Sequence, residues 1–72
     1  MEIKDKLNRT EKTLVLRFAV QDMNVSKVAR IEYMHRNTVY FHFDKIKEKT
    51  GYDPRCFFEL MELVKALGYS QT

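Results

Sequence analysis

The residues that interrupt helices all lie in the last third of this chain, and their placement constrains the fold more than any other feature. The sequence of 72 residues contains two glycines and one proline, and the first of these is Gly51. The preceding residues contain few runs in which polar and apolar side chains alternate, as they would in a half-buried strand. The sequence therefore predicts an all-α fold.

The first predicted helix begins at a polar cap and ends near Asp22. Asn8 or Thr10 can cap it, and Glu11 stands three residues after Asn8, in capping-box position. Leu16, Val20 and Met23 lie on a second apolar face of this helix, so we expect it to be buried from two directions.

Three further helices follow. Asn24 can cap a helix from Val25 to about Glu32, and a tight turn at Tyr33-Met34 separates it from a third helix over about 36–49. Gly51 fits the left-handed residue that ends this helix. Asp53-Pro54 predicts the start of the last helix, with the acid as cap and proline in the first turn, and Gly68 ends it.

Helical spacing assigns one apolar stripe of each helix to the core. The residues concerned are Leu14, Val15, Phe18 and Ala19; Val28 and Ala29, with Ile31 as a further candidate; Val39, Phe43 and Ile46; and Phe57, Leu60, Met61, Val64 and Leu67. We therefore predict a single four-helix domain over residues 8–69, with an N-terminal tail (1–7) and a C-terminal tail (70–72). A chain this short is near the lower size limit for a stable core, so association would help it.

Composition and charge narrow the class of protein. The chain is 44% hydrophobic and 32% charged, which is typical of a globular domain, and its net charge of +3 is compatible with a polyanionic partner. The single cysteine cannot form an internal disulfide, and neither a signal peptide nor a membrane-spanning run is visible. We expect a cytoplasmic protein, associated with the nucleoid if it binds DNA.

The segment Ser26 to Phe43 has the features of a helix-turn-helix. Ala29 supplies the small residue needed where two helices cross steeply, and Val39, ten residues later, is the inward anchor of the following helix. The polar run His35-Arg36-Asn37-Thr38 opens that helix. Arginine can bind a guanine edge through two hydrogen bonds, asparagine an adenine edge, and a threonine hydroxyl with free backbone N–H groups can hold a phosphate.

These residues carry a resemblance to a known family. The stretch Ser26 to Ile46, followed by "TGYDPR" at 50–55, resembles the C-terminal helix-turn-helix of PucR-type transcriptional regulators, in the "HRNTV" run at 35–39 above all. It is also similar to the DNA-binding end of Fis. The resemblance covers about two thirds of the chain and implies sequence-directed DNA binding by the start of the third helix. This chain departs from the family in Glu32, where a leucine is usual, and in Tyr40 and His42, where arginine is favoured.

The predicted binding site follows from the helix-turn-helix and the resemblance. The residues predicted to contact bases are His35, Arg36, Asn37 and Tyr40. The residues predicted to contact phosphates are Ser26, Lys27, Thr38, Phe41, His42, Lys45 and Lys47. The partner is double-stranded DNA, and because one recognition helix reads few base pairs, we expect a homodimer or a protein partner, joined through apolar surfaces that include Leu16, Val20, Phe58 and Leu63.

Plainer interpretations apply to the same residues. The polar run can be simple helix capping, the lysines can be solvated surface, and Tyr40 and Phe41 can lie in a protein interface. The aromatic Tyr40 in place of arginine, together with Asp44 further along the same helix, supports an alternative function. This is a protein-interaction module that keeps the fold without specific DNA binding.

Metal, cofactor and catalytic chemistry are not predicted. His35 and His42 are seven residues apart with no cysteine nearby, a poor spacing for a metal site. Cys56, flanked by Phe57 and Phe58, is expected to be a small packing residue. No acid and base pair stands at a recognisable catalytic spacing, and no glycine-rich phosphate loop is present, so an enzyme is not expected.

Overall fold

The computed structural model describes residues 2–68. This part of the chain forms five α-helices and contains no strand: α1 (Ile3–Lys6), α2 (Arg9–Val20), α3 (Val25–Ile31), α4 (Arg36–Thr50) and α5 (Phe57–Ala66). The predicted all-α class and the four longer helices are confirmed. The predicted C-terminal tail, 70–72, lies outside the described residues, as does residue 69.

The first two predicted helix starts are confirmed by their caps. The Asn8 side chain accepts a hydrogen bond from the Glu11 N–H at 2.8 Å, and the Asn8 N–H donates to the Glu11 carboxylate at 2.9 Å, which completes a capping box at α2. The Asn24 side chain accepts from the Lys27 N–H at 3.0 Å and caps α3. Gly51 ends α4 with φ +80°, as expected for a left-handed C-terminal residue.

The predicted start of the last helix is wrong. Asp53 and Pro54 precede α5 in a turn, in which the Asp53 carboxylate accepts from the Arg55 N–H at 3.0 Å and the Asp53 carbonyl from the Cys56 N–H at 3.0 Å. An aspartate can close such a turn on its own backbone as readily as it caps a helix. Cys56 is therefore the N-cap of α5, and it is exposed rather than packed.

The segment predicted as an N-terminal tail also differs in the structure. It contains α1, which contacts α4 and α5, and Leu7 is 5% exposed within the core. A single helical turn is not stable by itself, so α1 depends on burial of Leu7 and on the packing of Ile3.

One hydrophobic core joins the helices around α2, which contacts α3, α4 and α5. The Phe18 and Phe43 rings pack with their centroids 4.8 Å apart at its centre. The buried apolar residues are Leu7, Leu14, Val15, Phe18, Val28, Ala29, Val39, Phe43, Ile46, Leu60 and Leu63.

Three assignments of apolar residues are corrected by this core. Leu63, predicted at an interface, is fully buried, whereas Phe57 and Ile31, predicted inside, are 55% and 38% exposed. The buried side of α5 therefore centres on Leu60 and Leu63, and α1, which the sequence prediction treated as tail, contacts this helix.

Candidate nucleic-acid interface

The α3–α4 pair has the geometry of a helix-turn-helix. Ala29 is 6% exposed and Val39 is fully buried, which leaves room for the two helices to cross closely. Backbone hydrogen bonds from the Tyr33 N–H to the Arg30 carbonyl (3.3 Å) and from the Met34 N–H to the Ala29 carbonyl (2.9 Å) close the turn. The turn thereby fixes where α4 begins.

His35 caps α4. Its backbone is extended (φ −70°, ψ 148°), and its Nδ1 accepts a hydrogen bond from the Asn37 N–H at 3.0 Å. The N-cap of α4 is therefore a histidine side chain. The sequence prediction had assigned this side chain to a contact with a base edge.

The predicted base-contact residues are all exposed, but not equally. His35, Arg36 and Asn37 are open to solvent, whereas Tyr40 is 37% exposed with its ring edge-on to Phe43 at 6.5 Å between centroids. Part of the Tyr40 ring therefore packs against Phe43 and is not available to a partner.

The buried stripe of α4 determines which side chains point outward. Because successive residues are rotated by about 100° around a helix, Asn37 and Phe41 lie opposite Val39 and Phe43. Asn37 and Phe41 therefore define the outward line of α4. On one side of this line lie Arg36, Tyr40 and Lys47, and on the other side lie Thr38, His42 and Lys45.

The predicted phosphate-contact residues lie in two places: Ser26 and Lys27 are in the first turn of α3, and the others are on or beside the outward line of α4. Within this set, His42 is half-buried and the other members are exposed: Ser26, Lys27, Thr38, Phe41, Lys45 and Lys47. The Lys45 ammonium lies 5.5 Å from the Phe41 ring centroid, a cation–π contact, and the His42 ring meets Phe41 edge-on at 5.6 Å. Phe41 is therefore held between its neighbours although 54% of it is exposed.

Ion pairs within the domain occupy two cations that could otherwise bind an external partner. Lys49 is bound by Glu11 at 2.8 Å, and Arg17 by Glu32 at 2.8 Å, so neither cation is free for an external partner. In contrast, the structure of residues 2–68 shows no ion pair at Arg36, Lys27, Lys45 or Lys47.

Arg55 is a residue that the sequence prediction missed. Its guanidinium binds Asp44, on the exposed side of α4, at 2.9 Å and Asp53 at 2.9 Å, so it ties α4 to the turn before α5. Burial raises the pKa of the Asp53 carboxyl, but the hydrogen bonds from the Arg55 N–H and guanidinium outweigh this effect and hold that pKa below its ordinary value. The hydrogen bond to Asp53 in turn raises the pKa of Arg55. The "TGYDPR" run was the available signal, but it does not indicate that Arg55 reaches Asp44.

A comparison with protein families decides the classification of this fold. The model of the PucR C-terminal helix-turn-helix domain matches residues 12–68, which include α3, α4, α5 and most of α2. The chain belongs to this family. Comparisons with curated proteins and with solved structures found no match. Membership in the PucR helix-turn-helix family confirms the resemblance seen at "HRNTV" and extends it back into α2.

Residues 2–68 of this PucR-type domain contain neither a metal-binding cluster nor a membrane-spanning helix. Between residues 2 and 68, no group of three or more His, Cys, Asp or Glu side chains is placed to hold a metal ion. None of the helices in the same range is both long enough and apolar enough to cross a membrane.

Proposed function

We propose that this protein is a DNA-binding transcriptional regulator whose α4 docks in the major groove. The observation that carries the proposal is the exposed start of α4, where the side chains of Arg36 and Asn37 make no ion pair or hydrogen bond within residues 2–68, in a chain that belongs to a helix-turn-helix family. Arg36 is suited to the two acceptors of a guanine edge, and Asn37 to an adenine edge. His35 and Tyr40 are proposed to face base edges as well.

Backbone contacts orient the domain in this proposal. Ser26 and Lys27 lie in the first turn of α3, Phe41 lies on the outward line of α4, and Thr38, His42, Lys45 and Lys47 lie beside that line. Such contacts set the register of α4 on the duplex and do not read sequence. A single α4 reads only a few base pairs, so the proposal includes a homodimer or a protein partner that supplies a second reading element.

The first test is duplex binding at two salt concentrations. If about four phosphates are neutralised, affinity falls by about a hundredfold between 50 and 200 mM salt. The measurement is fluorescence anisotropy with random-sequence and genomic duplexes. Absence of salt-sensitive binding at the lower concentration would contradict the proposal.

Two single substitutions separate base reading from backbone contact. Arg36→Ala is expected to cost about 1 to 3 kcal/mol of preference at one base position, because it removes a base contact. Lys27→Ala is expected to weaken all duplexes alike and to reduce the salt dependence. Selection of bound sequences from a random duplex pool compares the two variants, and equal profiles would refute the division of roles.

A second candidate function is a protein-interaction module. The observation that favours it is Phe41, which lies on the outward line of α4 and is 54% exposed. In that case Phe41→Ala would abolish a protein complex, and none of the duplexes would bind.

A further inference from the structure

The cap of α4 restricts the chemistry that His35 can offer to a partner. A ring nitrogen accepts a hydrogen bond only when it carries no hydrogen, and the His35 Nδ1 accepts from the Asn37 N–H at 3.0 Å. The imidazole in this arrangement is therefore neutral and carries its hydrogen on Nε2.

The other ring nitrogen faces no acceptor within the described structure. His35 is exposed, and no hydrogen bond from Nε2 is made within residues 2–68. Because Nε2 lies on the far side of the ring from the nitrogen that caps α4, its N–H is directed away from the helix backbone. The ring thus has one available donor and no available acceptor.

From this arrangement we infer that His35 has two simultaneous roles: Nδ1 holds the first turn of α4, and Nε2–H selects a hydrogen-bond acceptor on the duplex. This inference rests on the proposed DNA-binding function. The acceptors available to it are guanine N7 and O6, adenine N7, thymine O4 or a phosphate oxygen. The amino groups of adenine and cytosine, which are donors, are excluded.

The cap also links His35 to the orientation of its neighbours. The His35 carbonyl accepts from the Thr38 N–H at 2.9 Å and the Val39 N–H at 3.3 Å, so His35 organises the first turn with both its side chain and its backbone. Loss of the ring would therefore disturb Arg36 and Asn37 as well, and a test must separate capping from reading.

The tautomer is tested directly by NMR on the full chain at neutral pH. Two-bond ¹⁵N–¹H correlations of the imidazole rings are expected to show His35 with hydrogen on Nε2 and none on Nδ1. His42 is the internal reference, since its ring makes no capping bond. A His35 ring with hydrogen on Nδ1, or a mixture of the two neutral forms, would overturn the inference.

Two substitutions separate the roles. Serine is a good N-cap but too short to reach the duplex, so His35→Ser is expected to keep the melting temperature, which His35→Ala lowers. On a duplex selected from a random pool by the wild-type protein, His35→Ser is expected to lose about tenfold in affinity.

Modified duplexes distinguish an acceptor on a base from a phosphate oxygen. Replacing guanine by its 7-deaza or 6-thio analogue, adenine by its 7-deaza analogue, or thymine by its 4-thio analogue, one position at a time, removes or weakens one base acceptor. If His35 contacts a base, one such change weakens wild-type binding and leaves His35→Ser unaffected. If it contacts a phosphate, His35→Ser weakens every duplex to the same extent.

Outcomes against the inference are distinct from failure of the proposed function. Unchanged affinity and preference in His35→Ser, while wild type binds duplexes, would refute the reading role alone. Absence of duplex binding by wild type would refute the proposed function and the reading role together, and the NMR result would still decide whether the cap is correct.

Discussion

Glu11 and Lys49 form an ion pair whose two members are unequally buried. Glu11 on α2 is 1% exposed, and both of its carboxylate oxygens accept from the Lys49 ammonium of α4 at 2.8 Å. The Lys49 side chain, in contrast, is 37% exposed. A buried charge that loses its partner is costly, whereas an exposed one can be hydrated.

We therefore expect the two halves of the pair to respond differently to substitution. Lys49→Met leaves the Glu11 carboxylate buried without a cation and should cost about 3 kcal/mol of unfolding free energy. Glu11→Gln should cost about 1 kcal/mol, because glutamine can still accept from the Asn8 N–H while Lys49 turns to solvent. Urea denaturation measures both, and equal losses would contradict the argument.

Asp53 gives a prediction for acid stability. The pKa of its carboxyl is lowered in the folded protein. The charged group therefore stabilises the fold at pH values above its ordinary pKa of 3.8, and this stabilisation is lost as pH falls through the folded pKa. Asp53→Asn keeps an oxygen for the Arg55 N–H and removes only the charge. Wild type should exceed this variant by about 0.5 kcal/mol at neutral pH, and the difference should vanish in strong acid. A difference that grows on acidification, in urea denaturation over a pH series, would refute it.

At the scale of elements, the turn between α3 and α4 contains backbone strain. Tyr33 has φ +55°, a left-handed conformation that is unfavourable for a residue with a Cβ, and 97% of it is exposed. The side chain therefore contributes almost no packing that would offset the strain.

Replacing Tyr33 by glycine should therefore stabilise the protein. Tyr33→Gly relieves the strain without loss of buried contacts, and we expect a gain of about 0.5 to 1 kcal/mol after the larger unfolded-state entropy of glycine is included. Tyr33→Ala is the matched control, since it removes the ring and keeps the strain. Thermal denaturation compares the three proteins, and an equal gain in both variants would assign the effect to the ring.

The helices that could be predicted from the sequence are those whose ends are decided locally. Asn8, Glu11 and Asn24 bond to backbone groups three residues away, so the starts of α2 and α3 were visible as patterns. The start of α5 was not, because Asp53 can cap a helix or close a turn. In the structure, Arg55 binds Asp53 and also Asp44, which lies eleven residues earlier in the chain. No local sequence pattern reveals the contact with Asp44.

The same distinction applies to the candidate site. The outward line of α4 followed from the spacing of Val39, Phe43 and Ile46, and the structure buries all three. The half-packed state of Tyr40 and the cap made by His35 depend on ring orientations, which residue spacing does not specify.

At the scale of the whole molecule, exposed apolar surfaces on α2 and α5 lie outside the core of residues 2–68. One is the groove surface on α2, about 260 Å³ in volume and lined by Thr13, Leu16, Arg17 and Val20, where Val20 is 73% exposed. The other is the α5 surface, where the Phe57 and Phe58 rings meet edge-on at 5.4 Å and Phe58 is 78% exposed. Four residues line the first surface and two rings form the second, whereas a standard interface involves about 20 to 30 residues on each side, so a dimer would need more than one of them or a shared duplex.

The proposed dimer is accordingly expected to be weak in free solution and to strengthen on DNA. Val20→Lys and Phe58→Lys should each leave the melting temperature unchanged, because their side chains make few core contacts. The substitution at the interface should reduce the protein bound to a selected duplex from two chains to one, as measured by sedimentation. That variant should also lose more than about tenfold in duplex affinity, since the second α4 no longer adds to the first. Tyr33→Lys is the control, because it places the same charge at an exposed residue outside both surfaces. A single chain per duplex in the wild-type protein, with high affinity retained, would show that one α4 suffices and would refute the dimer.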